Sequence, residues 1–448
     1  MQGSIAIEVL ASLSDNGFSL DELVVATKKI FEEEGLPGFV ALLLMLMDEK
    51  LGIELVGRRC GWTPRPCCQE PRYEHQDRQP RQFWTSVGVV KLTWRRLRCV
   101  HCGKSVLPLR EFLGLDAYQA KTSELEKMVT EVVSEQSYRR SSNHLRLIGE
   151  IPIPRSTLHR WVVTSDCDQL DPPEEKLKVL VADATGYKRR PQGDKDNRGQ
   201  VELALGVGFD GVVKPLGAWS GASWSQVSQE LGRCRKDNQP LADVLVSDGE
   251  RSMTEALAKL VTQEQRCHWH MSRELYYMMH EDKAPLRQKR KARKELAAIL
   301  SVQLPQDDFQ HVRPEDKSSL QESMRQAQQK IHDFATELFR KGYYRAGHYI
   351  RNAEDRLFTY VRYWLHHGLV SPRVSSMIER MMREIGRRLK RIAFGWSESG
   401  AAQMTRIIIK RFTSAGQWES YWKKRLKITG NVILVYRGTK LKPQPLGQ

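Results

Sequence analysis

A chain of 448 residues is expected to hold two to four domains. Its 71 Lys+Arg against 54 Asp+Glu leave a formal net charge of +17 in clustered basic stretches, which favours a polyanionic partner over a merely soluble basic protein. The longest apolar run, Phe39 to Met47, is too short to cross a bilayer, and Met1-Gln2-Gly3-Ser4 opens no charged leader ahead of an apolar stretch, so neither a membrane-spanning nor a secreted protein is expected. The 8 cysteines then point to a reducing compartment, where paired cysteines suggest zinc before disulfide.

Residues 1–57 read as amphipathic helix with a packing or oligomerisation role. Residues 58–115 are rich in Cys, Pro, Arg and Trp. Two β-type runs, 83–87 and 89–94, flank Gly88 as a tight hairpin. The second run leads into Cys99-Val100-His101-Cys102-Gly103, a knuckle that sets two thiolates one turn apart, with Gly relieving the backbone. Cys60, Cys67, Cys99 and Cys102 are the candidate zinc ligands, with Cys68 or His75 as upstream substitutes; the alternative is a hairpin that keeps its cysteine pair without metal. Residues 118–168 read as helix, helix, turn, helix, broken by Ile151-Pro152-Ile153-Pro154. A new helix starts at Arg155, and Arg155, Ser156, Thr157, His159 and Arg160 near its start give it the character of a recognition helix in a helix-turn-helix. A packing-only helical hairpin is the alternative.

After the linker Asp171-Pro172-Pro173-Glu174-Glu175 the pattern becomes α/β. Strands are expected at 178–182, 200–208 and 212–219, a helix at 223–234, a strand at 244–247, a helix at 250–260, a short strand at 265–268 and a helix from about 271. Three adjacent strands, a helix, then alternating strands and helices is the order of a ribonuclease-H-like core. Its first part would span 176–280 and its second part 371–415, with an all-helical insertion, 281–370, between them and a basic tail, 416–448, after them. The expected fold is therefore multidomain α/β plus α: a ribonuclease-H-like core interrupted by an all-α insertion, preceded by a zinc-ribbon-like β-hairpin module and a helix-turn-helix.

Three carboxylates stand out. Asp183 ends the run Val179-Leu180-Val181-Ala182, Asp248 follows Val244-Leu245-Val246-Ser247, and Glu379 follows Ser375-Ser376-Met377-Ile378 at the head of a basic helical pattern. A strand that ends in Asp presents it at the sheet edge where open α/β sheets build sites. Glu384 and Glu398 are rivals to Glu379 as the third. Beyond Glu379 the helix carries Arg383, Arg387, Arg388, Lys390 and Arg391, several on one face, as candidate DNA contacts. Cys267 and His270, in Cys267-His268-Trp269-His270, have metal-ligand spacing, with packing and hydrogen bonding beside the site as the favoured role.

These blocks, with Val181-Ala182-Asp183-Ala184-Thr185-Gly186, Val246-Ser247-Asp248-Gly249 and Phe394-Gly395-Trp396-Ser397-Glu398, resemble bacterial insertion-sequence transposases of the Mutator-like group over about residues 55–415. Ala184, where Gly is commoner, and the irregular upstream cysteines depart from the pattern. The resemblance implies a DDE-type DNA transposase, with Asp183, Asp248 and Glu379 as catalytic and metal ligands for two Mg²⁺ or Mn²⁺ ions, Asp183 bridging them. It implies binding of insertion-sequence ends and target DNA, metal-dependent strand cleavage and strand transfer, a homodimer or higher assembly on DNA, and a cytoplasmic, nucleoid-associated bacterial location. The rival readings are a catalytically inactive or domesticated sequence-specific DNA-binding protein and a nuclease of the same fold.

Overall fold

The computed structural model describes Val24 and residues 35–149, 151–191, 197–235, 239–391, 394–413 and 415–426. Apart from Val24, the helical region expected before residue 35 lies outside the described residues, as does the tail from 427 onward. Chain contacts define two compact units, one of Met1–Val132, Tyr138–Leu158 and Glu419–Gln448, the other of Val133–Ser137 and His159–Trp418. Among the described residues the architecture is mixed α/β with two sheets.

In the first unit, helix α1 (Leu36–Val56) lies against a hairpin of β1 (Tyr73–Thr85) and β2 (Gly88–Cys99), which the short β3 (Ser105–Val106) extends. Residues 86–87 close the hairpin at the pair Thr85 and Gly88, and Gly88 takes φ +114, a value glycine adopts without strain. Ala41, Leu51, Phe83, Val90, Leu92, Trp94 and Leu109 form the core, Leu109 coming from helix α2 (Pro108–Phe112). A buried carboxylate fastens α1 to the sheet: Asp48 Oδ2 accepts from Arg95 N–H at 2.8 Å. Burial pushes the Asp48 carboxyl above its ordinary range, and that N–H and nearby guanidinium groups partly offset the shift. Helices α3 (Ser123–Glu135), α4 (Tyr138–Ile148) and α5 (Arg155–Val163) follow. Ile151 and Ile153 are buried between α4 and α5, and Ser142 Oγ donates to Ile153 O at 2.6 Å, so the proline-rich turn is pinned rather than loose.

The second unit is built on a five-stranded sheet, in the order β6 (Val213–Ser220), β5 (Arg198–Val207), β4 (Leu177–Lys188), β7 (Ala242–Ser247), β8 (Val261–Arg266). The β4, β5 and β6 pairings are antiparallel, and β7 and β8 run parallel to β4. Leu180 and Ala182 on β4, with Ala204 on β5, pack under α6 (Trp224–Gly232) and α7 (Arg251–Leu257). Helix α6 opens with a capping box between Ser223 and Gln226.

From α8 (His268–Glu281) the described residues are helical: α9 (Leu286–Ile299), α10 (Pro314–Arg340), α11 (Tyr344–Arg351) and α12 (Thr359–His367) surround their own core of Leu296, Ile331, Ala335, Ile350 and Trp364. The start of α12 covers the open side of β8: Thr359 Oγ1 donates to Glu264 O at 2.7 Å, and Tyr360 N–H donates to Gln265 Oε1 at 2.9 Å. Helix α13 (Ser376–Leu389) packs on β4, and α14 (Glu398–Thr413) on β6. Helix α15 (Ala415–Leu426) buries Trp422, and its Arg425 pairs with Glu126 at 3.0 Å. The aromatic start of the expected basic tail is therefore a packed helix.

Candidate active site and cysteine cluster

Asp183 lies inside β4, not at its end as expected, because β4 continues as a hairpin partner of β5 as far as the pair Lys188 and Arg198. On its other side, however, the β4–β7 ladder stops at the pair Val181 and Val246. Asp183 and Asp248 each stand two residues beyond that last pair, level with one another at the mouth of the parallel half of the sheet. Alternation along β4 turns Asp183 away from the face of Leu180 and Ala182, toward the layer where α13 packs. Burial pushes the Asp183 carboxyl up to about 6; the Ala184 N–H, 2.7 Å from its Oδ1, lowers it and the Asp248 charge raises it further.

The turn after β7 is tightly specified. Asp248 Oδ1 accepts from Glu250 N–H at 2.9 Å, and Ser247 Oγ accepts from Gly249 N–H at 3.1 Å. Gly249 has φ +84, and a Cβ there would meet Arg266 Nη1 at 0.3 Å, so the guanidinium of Arg266 fills the space where any other residue would carry its side chain.

Cys267 to His270 join the Asp248 strand to the Glu379 helix. Cys267 N–H donates to Ser247 O at 2.9 Å, and His268 N–H donates to Arg373 O at 3.0 Å. Ser375 N–H donates to the Cys267 sulfur at 3.3 Å. Ser375 Oγ lies 3.3 Å from that sulfur and 3.5 Å from His270 Nδ1, and it donates to Glu379 Oε1 at 3.4 Å. The ligating atoms of Cys267, His270 and Glu379 all fall within 4.8 Å of one another. Burial alone would lower His270, but the Cys267 thiol and the charges of Asp183 and Asp248 carry it above its ordinary value. For Cys267 burial works upward, and hydrogen bonds with His270 and Ser375 bring the net shift down. His270 thus feels the charges of Asp183 and Asp248 and lies within 4.8 Å of the Glu379 carboxylate.

The rival glutamates are engaged elsewhere. Glu384 pairs with Arg387 at 2.8 Å, and Glu398 pairs with Arg189 at 2.9 Å. The latter pair sits beside a strand-like junction in which Trp396 N–H donates to Lys188 O and Arg190 N–H to Trp396 O, both at 2.9 Å. Gly395 lets the two backbones approach, since a Cβ there would meet Arg189 O at 2.5 Å. Trp396 is buried, with the Arg388 guanidinium 4.6 Å over its ring.

Among the basic residues expected to face DNA, Arg383, Arg387, Lys390 and Arg391 are exposed. Arg388 is not: it is 1% exposed and its Nε donates to Val133 O at 2.7 Å. One step along a helix turns a side chain by about 100°, which takes Arg388 from the outer face of α13 to the inner one. On α5, Arg155, Ser156, His159 and Arg160 are exposed, Thr157 is half-buried, and Leu158, Trp161 and Val162 face inward.

In the first unit the sulfurs of Cys67, Cys68, Cys99 and Cys102 lie within 4.8 Å of one another. Cys60, expected in this set, instead packs half-buried against the hydrophobic residues around Trp62, and His75 is exposed on β1, 3.4 Å from Arg95. The backbone N–H of Cys102, then those of Arg72 and His101, hold the Cys99 thiol down to about 6, whereas burial and the neighbouring thiols push Cys67 up to about 12. Spacing alone did not separate Cys60 from Cys68; the adjacency of Cys67 and Cys68 was the only signal.

Residues 81–418 match the family described as Transposase, Mutator family. The chain belongs to that family. No curated protein matches this transposase. The matched span contains Asp183, Asp248, Glu379 and the Cys267 to His270 segment, and it begins after Cys67 and Cys68. No helix among the described residues of this Mutator-family transposase is long and apolar enough to cross a membrane.

Proposed function

We propose that this transposase is a DDE-type enzyme that binds the ends of its insertion sequence and carries out metal-dependent cleavage and strand transfer at Asp183, Asp248 and Glu379. The observation that carries the reading is that two level carboxylates, Asp183 and Asp248, act on His270, which lies within 4.8 Å of a glutamate held by Ser375. The strand order, three antiparallel strands followed by two parallel ones, supports a ribonuclease-H-like core.

The donor set fits hard divalent cations. Carboxylate oxygens suit Mg²⁺ or Mn²⁺, and the burial and mutual repulsion that raise Asp183 are what a bound cation would relieve. When bound, such ions would activate a water or a DNA 3′-hydroxyl and stabilise the departing oxygen. The chain's own residues supply the rest. Ser375 donates to Glu379, and Cys267 and His270 fix Ser375 in turn. Arg273, whose charge acts on Asp183, and the exposed Arg383 and Arg387 would offset phosphate charge. The exposed residues of α5 and the pinned turn before it support a helix-turn-helix that reads the major groove. Synapsis of two ends would call for a dimer or larger assembly on DNA, in the cytoplasm at the nucleoid.

The test is cleavage and joining of insertion-sequence end DNA by the full chain with Mg²⁺ or Mn²⁺. Asp183→Asn, Asp248→Asn and Glu379→Gln should each lower cleavage by on the order of 10³-fold, a loss of several kcal/mol of metal-ligand stabilisation, while end binding persists. Binding without any metal-dependent chemistry in the wild type would leave the DNA-binding reading. Cleavage without joining would leave the nuclease reading. Loss of activity in Glu384→Gln or Glu398→Gln but not in Glu379→Gln would overturn the assignment of the third carboxylate.

A further inference from the structure

The four converging thiols lie outside the chemistry just described. Cys99 ends β2 and Cys102 lies in the turn to β3, while Cys67 and Cys68 come from the segment before β1. That segment, residues 59–72, has neither helix nor strand. Its polar ties to the unit include Val100 N–H to Arg72 O at 2.7 Å and Arg65 N–H to Glu111 Oε2 at 3.1 Å. The apolar cluster beneath it has only Leu55, Tyr73, Leu97, Cys99 and Val106 as buried members. Cys60 and Trp62 also reach the larger core around Phe83 and Trp94, but Cys67 and Cys68 rest on the small cluster alone, the situation in which small modules take a structural metal.

We propose that Cys67, Cys68, Cys99 and Cys102 bind one Zn²⁺ ion in a closed four-thiolate site that fastens residues 59–72 to the β2–β3 turn. Zinc–thiolate bonds of about 2.3 Å set tetrahedral sulfurs roughly 3.8 Å apart. The Cys68 and Cys99 sulfurs are 3.7 Å apart, all four lie within 4.8 Å, and each of these cysteines is free of disulfide. The knuckle is already bent around the centre: Gly103, at φ +73, donates to Cys99 O at 2.9 Å, and Cys99 N–H donates to Lys104 O at 2.8 Å. Four protein ligands leave no open position, so the site is structural. Soft thiolates also select zinc over the hard cations suited to carboxylates, so this centre and the transposase site take different metals and stand or fall separately. The ligand set differs from the one that spacing favours, with Cys68 in place of Cys60. Half of it precedes the span matched by the family.

The full chain, purified without added zinc and dialysed against EDTA, would be measured for metal by atomic emission and for free thiols by mass. One zinc per chain is expected in the wild type, in Cys60→Ser and in His75→Ala, with loss in Cys68→Ser. Because Cys68→Ser could also unfold the module, the wild type would be loaded with Co²⁺ after zinc removal. Intense d–d bands with sulfur-to-cobalt charge transfer of a tetrahedral four-thiolate ion are expected. A wild type without zinc whose thiols stay free or join as disulfides, a cobalt spectrum of fewer thiolates, or zinc lost in Cys60→Ser but kept in Cys68→Ser would overturn the proposal.

Discussion

Glu202 shows how one side chain can carry a pH dependence. It sits on β5 opposite Ala184 and so faces α6 and α7, on the side of the sheet away from Asp183. It is 5% exposed, and its Oε2 has no hydrogen-bond partner. Burial pushes its carboxyl up to about 7 from 4.5; its own N–H lowers it and the charge of Glu250 adds to the rise. Below the unfolded value the carboxyl is neutral in both states and carries no penalty. Between that value and about 7 the folded protein keeps a proton that the unfolded chain has released, so stability falls as pH rises. Above about 7 the cost levels off at up to ~3 kcal/mol. Glu202→Gln should therefore match the wild type near pH 4.5 and be more stable by up to ~3 kcal/mol at pH 8. Urea unfolding of both proteins at the two pH values checks this; an equal difference at both would sink it.

At the scale of an element, α13 has two faces with opposite duties. Arg380, Arg383 and Arg387 are exposed at helical spacing, whereas Arg388 is interior, bound to Val133 and stacked on Trp396. Arg383→Ala should leave stability within about 0.5 kcal/mol and lower the dependence of log K on log salt for DNA binding by about 1. Arg388→Ala should cost about 2–4 kcal/mol, because it strands a buried carbonyl and opens a cavity beside the ring. Thermal unfolding and salt-titrated binding separate the two. Helical spacing made this basic row visible in the sequence, yet it could not assign Arg387 and Arg388 to different faces before the partners of the inner face were known. The same limit applies to β4. Its apolar run is legible because both faces are covered, and Asp183 interrupts it. The run Thr185-Gly186-Tyr187-Lys188 has no such signature and extends the strand only because β5 supplies a partner. Ser375 was visible as part of a motif, but its role as the link between Cys267, His270 and Glu379 depends on residues more than a hundred positions apart.

At the scale of the molecule, the second unit is assembled from distant stretches. Asp183 lies on the central strand, Asp248 just past the end of its parallel neighbour, and Glu379 on a helix that follows the long helical stretch. The junction of Lys188 to Arg190 with Gly395 and Trp396, clasped by Arg189 and Glu398 across 209 residues, closes the sheet's long strand. A clasp of that span sets a timetable. At about 5–20 residues per second, a ribosome that has finished Arg189 needs roughly 10–40 s to deliver Glu398. Through most of that interval β4 and β5 exist without α13, and through all of it without α14, so the face of the sheet away from α6 and α7 is open to chaperones and proteases. Ribosome-bound chains with only residues 1–375 emerged should be cut readily within residues 177–220, and chains emerged past residue 413 should resist, as limited proteolysis would record. The long strand of this sheet therefore waits, uncovered on one side, for residues some two hundred positions further along the chain.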